Sequence, residues 1–328
     1  MDRKLEIARQ NIQIFKEKVC GLQILDEPAY QGQTNRVLFG SYNDELVAIK
    51  YYSDPSRREQ EVKALTLMRS TAVVPELVPF EDPHIMVTKR IEGDALALVY
   101  DSLSQKELDN IYLGMGAALA SIEQYSLHPM RNQQWERHCK TGVVDLNYYR
   151  HSAWPDFVNE IIKRCQHAMD AHDLRDSELI YSIEAISEEA ISDYRDAFVE
   201  FEMFFMGSDF GSNNMIVNQG HFQRFVDLEM SRYANAIYLV GTGMFMVWRQ
   251  SPHHLDSLVN GYLDASRRTD VDSFLRLCRV YAPFSYWVNF AWYFNMDKLP
   301  PWAVATNHKQ KILNLITSTV SYARIIEI

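Results

Sequence analysis

Asp209-Phe210-Gly211-Ser212-Asn213-Asn214-Met215-Ile216-Val217, closed by Phe225-Val226-Asp227, is the stretch that decides how this chain reads. Asn214 to Val217 has strand character, Asn218-Gln219-Gly220 is a turn signal, and Phe222 to Val226 has strand character again. The spacing predicts a hairpin among helical surroundings, one that returns Asp227 to the loop begun at Asp209. An Asp with an Asn five residues on suits phosphoryl transfer: the carboxylate accepts or orients the proton of an attacking hydroxyl, and the amide oxygen holds Mg²⁺. Asp227 would add a second hard oxygen for an ion that takes few protein ligands beside nucleotide phosphates. Asp, Asn, Gly and Ser are also ordinary turn residues, so the weight falls on what lies upstream.

Upstream, Val37-Leu38-Phe39 and Leu46-Val47-Ala48-Ile49 read as two strands joined through Tyr42-Asn43-Asp44-Glu45. The second ends in Lys50. An apolar strand ending in Lys sets an ammonium against nucleotide phosphates when a carboxylate from a nearby helix holds it. That helix is expected from about Pro55 to Arg69, with Val62, Leu65, Leu67 and Met68 on its apolar side. It offers Glu61 as first choice and Glu59 as second. After Pro75–Pro83 the run His84 to Thr88 reads as another strand, and Ile91-Glu92-Gly93-Asp94 as a turn. Ser104 and Glu107 have the spacing of a capping box, opening a helix to about Gln124. Further helices are expected at 3–18, 156–171 and 187–200, and several between 234 and 325. The layout is α+β and bilobal. A β-rich, nucleotide-binding N-lobe (1–90) leads through a connector (91–96) to a larger helical C-lobe (97–328), which carries the catalytic loop, the metal site and the substrate pocket.

The composition narrows the class. With 328 residues, 47% hydrophobic and 23% charged, the chain has material for a sizeable core. A formal charge of −10 argues against general nucleic-acid binding and is compatible with a cationic substrate. Cys20, Cys139, Cys165 and Cys278 form no C-x-x-C pair, which suits a reducing compartment. Met1 to Lys18 is charged and helix-patterned, unlike a signal peptide. The uncharged runs Tyr233–Trp248 and Val280–Met296 fall short of the ~20 residues of a membrane span and read as buried helices. A cytoplasmic protein without a membrane segment is expected. The oligomeric state is open.

Taken together, these residues resemble the aminoglycoside phosphotransferase and choline kinase-like superfamily, a branch of the protein-kinase-like fold, over roughly residues 25–265. Gly32-Gln33-Thr34-Asn35-Arg36-Val37 is similar to that family's phosphate-loop segment. The resemblance implies nucleotide contacts at Gly32, Thr34, Asn35 and Lys50, with Glu61 as the paired helix carboxylate and Met86 to Gly93 as the connector bonding adenine. It further implies Asp209 as catalytic base, Asn214 and Asp227 as Mg²⁺ ligands, and Glu229 as an acidic position touching metal or substrate. The family usually has His two residues before the catalytic Asp and an Asp twelve after the metal Asp. This chain has Gly207 and Leu239 there.

The expected activity is ATP- and Mg²⁺-dependent phosphorylation of a hydroxyl on a small molecule. The acids between Asp176 and Glu202 suggest an amine-bearing acceptor such as an aminoglycoside, an aminosugar or a choline-like alcohol, although solvated helix faces have the same composition. The aromatics Tyr286, Trp287, Trp292, Tyr293, Phe294 and Trp302 suit either a cation cage or a core. A nucleotide-binding module without turnover is the main alternative, motivated by Gly207 and Leu239. A kinase of protein side chains is a third.

Overall fold

The computed structural model describes residues 10–13, 21–28, 35–126, 204–206, 209–229, 231–234, 236–275 and 277–278. Two compact units emerge, Met1–Gly114 with Phe205–Arg232, and Met115–Phe204 with Tyr233–Ile328. The expected helices at 156–171 and 187–200, the run Val280–Met296 and all of 3–18 except 10–13 lie outside the described residues, as do Cys20, Cys139 and Cys165.

The first unit is built on an antiparallel sheet. Its strands are β1 (Leu22–Asp26), β2 (Arg36–Tyr42), β3 (Glu45–Tyr51), β4 (Leu77–Val78) and β5 (Ile85–Lys89), in spatial order β1-β2-β3-β5-β4. Period-two alternation sorts its side chains. Val47 and Ile49 pack with Leu22, Leu38, Ile85, Val87 and Ile12 into one apolar cluster, so Lys50, the next residue on β3, belongs to the opposite face. Asn43 and Asp44, at φ 49° and 67°, make the tight β2–β3 turn. Both residue types tolerate this left-handed conformation, whose twist matches the flanking strands.

Helix α1 (Pro55–Met68) follows β3. Asp54 caps it by accepting from the Ser56 backbone N–H at 2.9 Å, and Pro55 occupies the first turn, where its missing N–H costs nothing. The buried positions are Glu61, Ala64, Leu65 and Met68, spaced as one helical face. That stripe is rotated from the expected one: Val62 and Leu67 are only half-buried, and a carboxylate takes part in it.

The connector ends in a short strand, β6 (Asp94–Ala95), where the sequence suggested only a turn. β6 pairs with β8 (Met215–Asn218), which pairs with β9 (His221–Phe225) to complete a three-stranded antiparallel sheet. The preceding strand β7 (Phe204–Met206) leads toward the loop at Asp209. Gly93, at φ 119°, brings the connector against the hairpin; a Cβ there would lie 2.2 Å from the Val217 carbonyl oxygen. Helix α2 (Leu96–Val99) and helix α3 (Gln105–Ser126) follow β6 in the chain. The capping box forms as expected: the Ser104 N–H donates to Glu107 at 2.8 Å, and the Glu107 N–H to the Ser104 hydroxyl at 3.3 Å.

In the second unit Met115, Leu119 and Ile122 of α3 are buried, as are Leu239, Val240 and Met244 of α4 (Ala236–Gln250) and Leu258 and Tyr262 of α5 (Leu255–Ala265). The Tyr233–Trp248 run thus largely becomes the buried helix expected of it. Among the described residues no helix is long and apolar enough to cross a membrane. A buried polar knot closes this core. Glu123 accepts hydrogen bonds from Tyr262 and Arg268, whose guanidinium also lies 3.8 Å over the Phe274 ring.

Candidate active site

Every described candidate residue lies in the first unit, because the Asp209 loop and its hairpin group with the five-stranded sheet rather than with the helices. Gly32, Thr34 and Gly207 fall outside the described residues, as do the acidic stretch 176–202 and the aromatics 286–302.

Lys50 stands at the centre. Its ammonium lies 2.7 Å from Glu61 of α1 and 2.5 Å from Asp227 beyond β9. Two carboxylates, 11 and 177 residues along the chain from Lys50, meet on its one nitrogen. Glu59 takes no part in these contacts; Glu61, the first choice, does. Burial pulls the Lys50 ammonium down, but the carboxylates of Glu61, Asp227 and Glu229 more than offset it, so its pKa is held above the ordinary value and the charge is kept. Burial pushes the Glu61 carboxyl up, against the pull of Lys50.

Glu61 has further partners. The Tyr52 hydroxyl donates to it at 2.6 Å and the Leu228 backbone N–H at 3.1 Å. Tyr52 is fully buried, with the Lys50 ammonium 5.1 Å from its ring centroid. Sequence reading overlooked Tyr52, which comes two residues after Lys50 and just past the end of β3, where strand alternation carried one residue further would put both on one face. Replacing Tyr52 by Phe removes a hydrogen bond to a buried charge and is expected to cost about 1.5–3 kcal/mol. A drop in the urea midpoint at unchanged slope would show it, and an unchanged midpoint would refute it.

The loop has its own bracing. Asp209 is exposed, and one of its carboxylate oxygens accepts the Gly211 N–H at 3.2 Å. Asn214 donates its amide nitrogen to the Asp209 backbone carbonyl at 3.3 Å. That leaves the amide oxygen, the hard donor that Mg²⁺ takes. The Val226 N–H bonds the Asn214 carbonyl at 2.9 Å, so the backbone beside Asp227 is tied to Asn214. Phe210, Phe222 and Phe225 pack beneath, with centroids 4.8 Å apart in the Phe210–Phe225 and Phe222–Phe225 pairs.

Asp227 adopts φ 61°, a left-handed backbone that Asp tolerates better than most side chains. One carboxylate oxygen from each of Glu61, Asp227 and Glu229 lies within 4.8 Å of the others. The three differ in availability. Glu61 is shared among Lys50, Tyr52 and Leu228, and Glu229 between Arg57 at 2.8 Å and Asn35. The Asp227 side chain is 36% exposed, against 3% for Glu61 and 6% for Glu229, so it offers the most accessible carboxylate for a cation. The donor set therefore fits Mg²⁺ at Asp227 with Asn214. Leu239, where the family tends to carry Asp, is wholly buried in α4.

Residues 27–272 match the phosphotransferase enzyme family. No curated protein matches the chain. Among solved structures, an ethanolamine kinase of Plasmodium vivax is similar at TM-score 0.63 and 13% identity, covering 100% of this chain and 90% of its own. The GDP complex of aminoglycoside 2'-phosphotransferase-IIIa is similar at TM-score 0.63 and 12% identity, over 98% and 99% of the two chains. ADP-bound aminoglycoside phosphotransferase APH(2'')-Ib gives TM-score 0.59 at 13% identity, over 99% of each. These likenesses establish an α+β, kinase-like fold, and the match over residues 27–272 places this chain in the phosphotransferase enzyme family.

Proposed function

We propose that the protein is an ATP- and Mg²⁺-dependent phosphotransferase that phosphorylates a hydroxyl group on a small molecule, an amine-bearing alcohol or aminosugar being the preferred class. The observation that carries this reading is the convergence of Glu61 and Asp227 on Lys50. It pre-positions an ammonium for nucleotide phosphates beside a carboxylate that can hold their metal. Structural relatives support the acceptor class: one is a streptomycin–ATP ternary complex, another an ethanolamine kinase.

In this scheme Asp209 accepts the acceptor hydroxyl's proton as its oxygen bonds the γ-phosphorus and the bond to the departing ADP oxygen breaks. Lys50 holds the α- and β-phosphates, while Glu61 and Tyr52 keep the ammonium from swinging away. Gly32, Thr34 and Asn35 belong to the phosphate-binding segment Gly32–Val37. Asn214 and Asp227 would hold Mg²⁺, which supplies charge neutralisation on the phosphates. Catalysis is then positioning and electrostatics, without a covalent enzyme intermediate.

The decisive experiment is calorimetric titration of ATP with and without Mg²⁺, followed by turnover against aminoglycosides, aminosugars, choline and ethanolamine. Metal-dependent binding with turnover of an amine-bearing alcohol is expected. Binding without turnover of any acceptor would favour a nucleotide-binding module, and no binding would sink both readings. Asp227→Asn suits the metal arm, because Asn accepts the left-handed backbone as readily as Asp. Losing a carboxylate ligand should weaken Mg·ATP binding by no less than roughly tenfold, given that even outer partners of metal ligands contribute that much.

A further inference from the structure

Glu229 sits two residues beyond Asp227 and is 5% exposed. Its carboxylate is divided between two partners. One oxygen accepts from the Arg57 guanidinium at 2.8 Å, and the other accepts from the Asn35 side-chain amide. Asn35 is the residue just before β2, within the segment Gly32–Val37 read as the phosphate loop, and the Arg36 guanidinium holds its carbonyl at 2.8 Å. Arg57 lies in the first turn of α1, four residues before Glu61 and so on the same helical face. The segment after Asp227 is thereby fastened to α1 three times: Leu228 N–H to Glu61, Glu229 to Arg57, and the Ser231 carbonyl to Gln60. Of these fastenings, the one through Glu229 continues to Asn35.

We infer that Glu229 is a positioning residue, a latch that holds the phosphate-binding segment through Asn35 at a fixed place relative to Asp227. This rests on the phosphotransferase reading and deepens it. A buried carboxylate is tolerated only with partners, and here the partners are Asn35, in the segment read as the phosphate loop, and Arg57, on the helix that carries Glu61. The latch acts on nucleotide affinity. Both Glu229 oxygens serve the latch, and the more exposed Asp227 carboxylate is the accessible ligand for the metal.

The hydrogen-bond polarity makes the inference testable. The Asn35 side-chain oxygen is buried and without a hydrogen-bond partner among the described residues. In Glu229→Gln the Asn35 amide can therefore turn over and accept from the new Gln N–H, while the Gln oxygen still accepts from Arg57. Asn35→Asp instead sets two carboxylates face to face. Combined with Glu229→Gln, it restores one donor, one acceptor and the original charge.

The test is KM for ATP and kcat in wild type, Glu229→Ala, Glu229→Gln, Asn35→Asp and the Asn35→Asp/Glu229→Gln double variant, with calorimetric Mg·ATP affinity and melting temperature for each. Glu229→Ala and Asn35→Asp should raise KM for ATP roughly ten- to a hundredfold, the loss expected of a charge-assisted hydrogen bond. Their kcat should change less than their KM. Glu229→Gln should raise KM for ATP less than Glu229→Ala does, and the double variant should recover most of the KM lost in Asn35→Asp, with the Mg²⁺ requirement at saturating ATP unchanged by Glu229→Gln. If the wild type binds Mg·ATP and Glu229→Ala binds it equally well, the latch is wrong and the phosphotransferase reading stands. Failure of the double variant to recover, or a raised Mg²⁺ requirement in Glu229→Gln, also overturns the latch. A wild type that binds no Mg·ATP removes the phosphotransferase reading and the latch's effect on affinity with it. The double variant keeps the test valid should Glu229→Ala lower the melting temperature.

Discussion

Asp209→Asn is expected to lower kcat by about 10²–10⁴-fold, the range attributed to a positioned general base, while leaving Mg·ATP affinity close to wild type. The asymmetry comes from the residue's surroundings. Asp209 is exposed, and its carboxylate accepts the Gly211 N–H. An Asn oxygen can accept the same bond, so the loop should keep its form. What Asn cannot do is take a proton from a hydroxyl at neutral pH. The separation of kcat from nucleotide binding is the informative part. Calorimetry beside steady-state kinetics on the best acceptor reads both, and turnover unchanged in the variant would remove Asp209 from the chemistry.

Lys50→Met should damage the protein in two ways. It deletes the cation proposed to hold the phosphates, and it leaves Glu61, 2% exposed, without its counter-ion. Breaking a buried pair by removing one partner costs about 3–5 kcal/mol, softened here by the Tyr52 and Leu228 donors that remain on Glu61. The deficit should depend on pH. Burial already raises the Glu61 carboxyl's pKa, and Lys50 is the strongest influence opposing that rise. Without Lys50 the folded form binds the proton still more tightly than the unfolded chain. Stability tied to such a group is present at low pH and is lost as pH climbs from the unfolded value toward the raised folded one. Melting temperatures of variant and wild type should therefore converge on moving from about pH 8 to about pH 5. A gap that stays constant across that range would mean Glu61 is not the group left stranded.

Much of this architecture is written locally in the chain. Alternation of Val47 and Ile49 with Ala48 and Lys50 determines which face the lysine takes, and Ser104 with Glu107 announces the start of α3. The hairpin from Met215 to Phe225 follows from its turn residues. Local pattern does not carry choices made by distant partners. Glu61 was readable as a carboxylate for Lys50, but its place in the buried stripe of α1 was not, because no apolar period marks a Glu. Asn35 reads as a nucleotide contact, and its side-chain bond to Glu229, 194 residues away, has no local signature. Arg57 gave no signal beyond its four-residue spacing from Glu61. Asp94 and Ala95 form a strand because Val217 and Ile216 lie opposite them, which a two-residue segment cannot advertise.

The division of the first unit into Met1–Gly114 and Phe205–Arg232 bears on how the protein is made. A ribosome delivers Lys50 and Glu61 long before Asp227, which follows 177 residues after Lys50. At about 5–20 residues per second that interval lasts on the order of ten to thirty-five seconds. Throughout it, the nascent β-rich segment carries a lysine and a glutamate destined for burial, with the third member of their cluster not yet synthesised. Assembly of the phosphate end of the site is therefore a late event in translation, and a transcript truncated before the codon for Asp227 yields a chain that cannot form it.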